Sequence, residues 1–163
     1  QRQMCIRDRD GDYVSFLRQY GGVEPVPGDF LDSEGRVLGR HRGMECYTIG
    51  QRKGLGVSAN APQYVLGKDP DRNAVILGED NRLYTRELTA ERVNWLSVPE
   101  PDRPLSVTAK TRYSQREAAA TVEPLPGGRI RMVFTEPQRA VTPGQAVVFY
   151  DGDLVLGGGT ICP

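Results

Sequence analysis

Lys110, Thr111, Arg112 and Tyr113 stand in a row, with Arg116 just beyond. A guanidinium beside a phenol can neutralise a phosphate while the ring stacks on an unpaired base. The same residues also fit a solvated strand end with Tyr113 packed inward, and the residues alone leave both readings open. Thr142-Pro143-Gly144-Gln145 has the order of a tight turn that would project the Gln145 amide, which both donates and accepts. Taken alone, that run favours the simpler reading of a plain β-turn. The third cluster spans residues 35–56, with glycine at 35, 39, 43, 50, 54 and 56, the only histidine, His41, and five cations against a single Glu45. Glycines let the backbone take positive φ, and cations among exposed N–H groups suit a polyanion. Composition alone favours ordinary turns with solvated charges.

Catalytic constellations are harder to assemble. G-x-S-x-G, H-E-x-x-H and the P-loop pattern do not occur. Gln51-Arg52-Lys53-Gly54 has the wrong glycine spacing for a phosphate loop, and no Ser or Thr follows Lys53. His41 and Cys46 are a conceivable imidazole–thiolate pair, with a half-buried structural cysteine as the simpler reading. The three cysteines, Cys5, Cys46 and Cys162, are scattered and form no C-x-x-C, so no metal site is expected. On its residues the chain reads as a binding module.

The elements that must position these clusters are mainly β. Asp12 suits the N-cap of a short helix over 13–20, with Tyr13, Phe16, Leu17 and Tyr20 on one face and Gly21-Gly22 ending it. Short alternating runs follow at 36–41, 63–68, 73–77 and 88–96, with Asp69-Pro70-Asp71-Arg72 as a hairpin loop. A second set lies at 105–113, 118–124, 129–135, 146–150 and 154–156, turning at Pro126-Gly127-Gly128 and Asp151-Gly152. So many short strands in about sixty residues imply a small closed barrel, which hides its edges. The expected organisation is a non-native extension at 1–9, a short helical segment at 10–22, a central β-rich domain at 23–98, a proline-stiffened linker at 99–104 and a C-terminal β-barrel at 105–163.

Bulk properties bound this reading. The 163 residues can bury a real core as one domain or two small ones. Lys and Arg total 21, as do Asp and Glu, so any attraction to nucleic acid must come from local patches. No apolar run approaches the length of a membrane span, and a reducing cytoplasmic setting is expected.

In order along the chain, G-R-H-R-G at 39–43, Y-T-I-G-Q-R-K-G-L-G at 47–56, V-N-W at 93–95, A-K-T-R-Y at 109–113, V-T-P-G-Q at 141–145 and L-G-G-G at 156–159 resemble the C-terminal half of the tRNA-specific 2-thiouridylases. The run at 47–56 is the most specific. The resemblance implies an architecture of an N-terminal adenine-nucleotide hydrolase domain with an S-G-G-x-D-S loop, a central β-rich domain, and a C-terminal barrel like those of translation factors. Only the last two are expected in this chain. It implies ATP-dependent 2-thiolation of the wobble uridine of tRNA, with ATP and Mg held upstream, none bound here, and the fragment alone inactive. A sulfur-carrier protein is implied as the persulfide donor, and the chain is expected to be monomeric.

Residue by residue, the resemblance places Arg112, Tyr113 and Gln145 on tRNA-contacting positions. It leaves His41, Gln51, Arg52 and Lys53 as contacts to tRNA or to the catalytic domain. Cys5 falls near the family's second-site persulfide cysteine. There Gln1 and Ile6 replace the family's Ser and Phe, and the spacing to Gly11 is one residue too long, which fits a native chain starting near Asp10. Two other readings stand beside this one. One is a free-standing β-barrel that docks RNA or protein without catalysis; the other is a scaffold whose basic residues are merely solvated.

Overall fold

The computed structural model describes residues 24–59 and 61–163. The expected helix at 13–20, the extension at 1–9 and Cys5 lie outside the described residues. The chain divides into two compact units, Gln1–Arg82 and Leu83–Pro163.

The first unit is built on a four-stranded sheet in the order β2-β1-β4-β3. Its strands are β1 (Gly28–Leu31), β2 (Val37–His41), β3 (Tyr64–Asp69) and β4 (Ala74–Gly78). β1 and β2 form an antiparallel hairpin, β1 and β4 run parallel, and β3 and β4 are antiparallel. Asp32 organises the β1–β2 turn: its Oδ1 accepts from the Glu34 and Arg36 N–H groups, each at 2.9 Å, and its Oδ2 pairs with Arg36 Nε at 2.6 Å. These contacts from Arg36 and Glu34 hold the Asp32 carboxyl below its ordinary range.

The core of this unit gathers Phe30, Tyr47, Leu55, Val65, Val75 and Leu77, with Leu38, Met44, Cys46, Ile49 and Val57 against it. Each side chain buried in full is worth about 1.5–3 kcal/mol relative to exposure. Phe30, His41 and Tyr47 meet edge to face, with ring centroids 5.1–5.9 Å apart. Gly28, which pairs with His41, permits this: a Cβ there would collide with the Asn73 carbonyl and lie 2.8 Å from the His41 ring.

The second unit is a closed barrel in the order β10-β5-β8-β7-β6-β9. Its strands are β5 (Tyr84–Trp95), β6 (Leu105–Lys110), β7 (Ala118–Leu125), β8 (Arg129–Arg139), β9 (Ala146–Asp151) and β10 (Leu154–Ile161). Alternate residues point inward and build one core from all six strands, with Phe134, Phe149, Ile130, Met132, Val122 and Val147 among the most deeply buried. Trp95 lies against Phe149 with centroids 5.0 Å apart. β10 passes between β5 and β9 on Gly157, Gly158 and Gly159, and a Cβ at 157 would sit 2.9 Å from the Phe149 ring.

The division of the chain differs from the sequence expectation. β5 takes in residues 88–95 of the 88–96 run assigned to the central domain, yet it pairs with β8 and β10 and belongs to the barrel. The strands at 105–163 supply five staves; the sixth, which closes the ring and buries Leu88 and Ala90 inside it, comes from upstream. The proline-rich 99–104 segment therefore joins β5 to β6 within the barrel and does not separate two domains. Proline stiffness marks a connection, but it does not say whether the connected strands share a core.

Candidate nucleic-acid interface

Strand register brings two connections to one rim of the barrel. Ala109 pairs with Ala118, Tyr84 with Arg139, and Thr160 with Ala146. The β6–β7 loop (111–117) and the β8–β9 loop (140–145) therefore emerge side by side.

The β6–β7 loop is held from below. Thr111, 2% exposed, donates its hydroxyl hydrogen to Gln115 Oε1 at 2.8 Å. The Gln115 amide donates to Gln138 Oε1, and the Gln138 amide donates to the Glu136 carbonyl at 2.7 Å. At the loop base Glu117 accepts from the Thr108 hydroxyl at 2.8 Å and pairs with Lys110 at 3.1 Å. Those two contacts hold the Glu117 carboxyl below its ordinary range. Lys110 also lies 5.4 Å from the centre of the Tyr150 ring. The Gln115 N–H closes a turn onto the Arg112 carbonyl at 3.2 Å, so Tyr113 rides at the tip. Tyr113 is fully exposed, at 104%. The inward-packed alternative for it does not hold, because the strand ends at Lys110 and the turn points the ring outward.

Arg112 turns the other way, towards the β8–β9 loop. Its Nη2 donates to the Ala140 carbonyl at 2.6 Å and lies 3.4 Å from Thr142 Oγ1. Its Nε is buried and meets no acceptor among the described residues. No carboxylate there pairs with it, and burial together with the positive field of Arg139 lowers its pKa from the ordinary arginine value. A cation in this position is under electrostatic strain that a bound anion would relieve. Ala140 itself takes a positive φ of 54°, and its N–H is tied to the Leu83 carbonyl at 2.7 Å.

The run at 142–145 is the expected tight turn. The Gln145 N–H reaches the Thr142 carbonyl at 3.3 Å, and Gly144 has φ 80° after Pro143, the pattern of a type II turn. Backbone bonds from Gly144 N to Ile161 O and from Ile161 N to Gln145 O, each 2.8 Å, fasten the turn to β10. The Gln145 side chain is left exposed. Arg112 and Gln145 thus belong to one rim, with Tyr113 at the neighbouring tip. The Thr111–Gln115–Gln138 chain and Arg139 complete that rim and were missed: the two Gln residues lie 23 positions apart and carry no motif.

The residues singled out in the first unit separate into two kinds. His41 is 2% exposed. Gly43 N–H donates to its Nδ1 at 3.0 Å, so Nδ1 is the bare nitrogen and Nε2–H donates to the Asn73 carbonyl at 3.0 Å. His41 is therefore a packed core residue with both nitrogens used; it offers nothing to a partner and leaves no nitrogen for Cys46. Gln51 staples its own loop, with Oε1 accepting from Thr48 N–H at 3.1 Å and Nε2 donating to the Lys53 carbonyl at 3.0 Å. Arg52 and Lys53 stand exposed beyond it. Among the described residues no group of three His, Cys, Asp or Glu is placed to hold a metal.

A closed barrel with a partly buried, uncompensated arginine and an exposed aromatic on one rim, preceded by a small β unit, defines a two-part β-rich module. Comparison with known proteins identifies the family. Residues 14–79 match the tRNA methyl transferase PRC-barrel domain family, and residues 85–161 match the aminomethyltransferase beta-barrel domain family. The tRNA-specific 2-thiouridylase MnmA of Acetivibrio thermocellus is 51% identical over 160 residues, covering 98% of this chain and 44% of that protein. The protein of the same name from Moorella thermoacetica is 53% identical over 152 residues, 93% of this chain and 43% of its own length. That of Trichormus variabilis is 45% identical over 160 residues, 98% of this chain and 45% of its own length. The chain belongs to the tRNA-specific 2-thiouridylase family. It spans less than half the length of these curated relatives, and matches their C-terminal part.

Proposed function

We propose that this chain is the tRNA-holding portion of a 2-thiouridylase, serving ATP-dependent 2-thiolation of the wobble uridine. The observation that carries the reading is Arg112, a partly buried guanidinium with a bare Nε, a second arginine nearby and no carboxylate partner among the described residues. A tRNA phosphate supplies the missing charge and acceptor. Tyr113 then offers its exposed face to an unstacked base, and the Gln145 amide reads a base edge or sugar beside it. The barrel fixes these groups on rigid strand ends, so little ordering entropy remains to be lost when RNA arrives.

In this reading the chemistry sits elsewhere in the whole protein. ATP with Mg, the nucleophilic cysteine and the sulfur-carrier partner engage an adenylating domain, while the barrel rim keeps the anticodon region in place. Cys5 remains a candidate for the second-site persulfide cysteine. The working protein is cytoplasmic and the chain monomeric; among the described residues no helix is long and apolar enough to cross a membrane.

The test uses the whole chain with tRNA. Expected are a weak complex whose affinity falls as salt rises, and no 2-thiouridine formed when ATP, Mg and a persulfide donor are added. Thiolation by this chain alone would overturn the division of labour, and salt-insensitive or absent binding would overturn the tRNA role.

A further inference from the structure

The first unit carries a charge pattern that the rim does not explain. Several of its surface cations are already neutralised: Arg36 by Asp32 and Glu34, Arg40 by Asp29 at 3.8 Å, and Arg72 by Asp69 at 3.7 Å. Arg52 and Lys53 stand adjacent and exposed, with no carboxylate paired to either among the described residues.

Their backbone is held firmly. The Gln51 side chain bridges Thr48 N–H and the Lys53 carbonyl, while Gly50 N–H bonds Val65 O at 2.8 Å and Val65 N–H bonds Gln51 O at 3.0 Å. The loop is thereby sewn to the start of β3. Gly50, Gly54 and Gly56 take φ values of 84°, 76° and 67°, which fold the loop back on either side of the two cations. Leu55, 7% exposed, anchors the loop in the core from below. Beside Arg52 opens a cavity of about 420 Å³, bordered by Gly54, Gly56, Val57 and Pro62. Two exposed cations on a pre-formed loop, next to an open and largely polar hollow lined by small residues, match a phosphodiester with its sugar.

We propose that Arg52 and Lys53, held by the Gln51 staple, form a second phosphate-binding surface for RNA on the first unit. The inference rests on the tRNA-holding role and adds a contact to it. Each phosphate neutralised by a cation contributes about 0.7–0.9 to the slope of log affinity against log salt.

The experiment measures that slope for the full chain with tRNA by fluorescence anisotropy. The Arg52→Ala/Lys53→Ala variant is expected to melt like the parent, since both side chains are exposed. Its slope should be shallower by about 1.4–1.8. An Arg40→Ala/Arg72→Ala variant removes the same charge from cations already paired, and its slope should match the parent. An Arg112→Ala variant reports on the rim separately. If Arg52→Ala/Lys53→Ala keeps the parental slope while Arg112→Ala lowers it, the second surface is wrong and the rim reading stands. If the paired-cation control falls as far as Arg52→Ala/Lys53→Ala, the effect is one of net charge and the proposal is overturned. If Arg112→Ala alone has no effect, the rim reading fails while the loop proposal is supported by its own variant.

Discussion

Tyr113→Ala separates recognition from folding more sharply than any other change in this chain. Tyr113 is fully exposed at the tip of the 112–115 turn, so truncating it removes almost no folded-state packing. Surface changes of that kind alter stability by no more than about 0.5 kcal/mol. If the ring stacks on one unpaired base, its removal costs about 1–3 kcal/mol of binding, roughly five- to 150-fold in affinity. The ring is neutral, so the dependence of affinity on salt should not change. Arg112→Ala makes the opposite signature. If Arg112 holds one phosphate as proposed, its removal should flatten the log–log slope by about 0.7–0.9. Its structural cost is small, because the Ala140 carbonyl that loses Nη2 still accepts from the Thr142 hydroxyl at 3.0 Å, and because the repulsion from Arg139 is relieved. Anisotropy titrations of tRNA between about 50 and 200 mM salt, with thermal melts of each variant, read both quantities. Tyr113→Phe should bind as the parent does. Parental affinity in Tyr113→Ala would refute the stacking role, and a large fall in its melting temperature would refute the exposed placement of the ring.

Two further changes test the scaffold. Gly28→Ala forces a Cβ against the Asn73 carbonyl and the His41 ring and should cost about 1–3 kcal/mol; a thermal melt identical to the parent would contradict the packing around His41. The Glu117 clip on Lys110 and Thr108 has a lowered carboxyl pKa, so its contribution is complete above the ordinary glutamate range and fades as pH falls through the lowered value. The melting difference between parent and Glu117→Gln should therefore be constant near neutrality and vanish only in strong acid, and a difference that persists in strong acid would refute the clip.

Much of the fold was legible because strands that pack on one side alternate, and this chain punctuates them with residues that fix turn geometry. Pro126-Gly127-Gly128 and Asp151-Gly152 mark the β7–β8 and β9–β10 hairpins, and glycine at 35, 43, 50, 54 and 56 does take positive φ. β1 escaped notice: Gly28-Asp29-Phe30-Leu31 is too short and too mixed to alternate, and it becomes a strand because β2 and β4 flank it. The barrel boundary was misplaced for a related reason, since a closing strand is identified by its partners across the ring and not by its own pattern. At the rim, Arg112, Tyr113 and Gln145 were visible as residue types. That Arg112 would be desolvated with a bare Nε was not, because it depends on the Ala140 backbone 28 positions away. His41 misled because a lone histidine among arginines looks reactive, whereas the Gly43 N–H, the Asn73 carbonyl 32 positions away and two aromatic rings enclose it.

The two ends of the barrel are chemically unequal. Opposite the rim of Arg112 and Gln145 lie the β7–β8 and β9–β10 turns, where Gly127, Gly128 and Gly152 meet only open space. That far end is a natural handle. A dye, an affinity tag or a surface tether attached at 127 or 152 would leave the end that carries Arg112, Tyr113 and Gln145 unobstructed and report on events there without taking part in them.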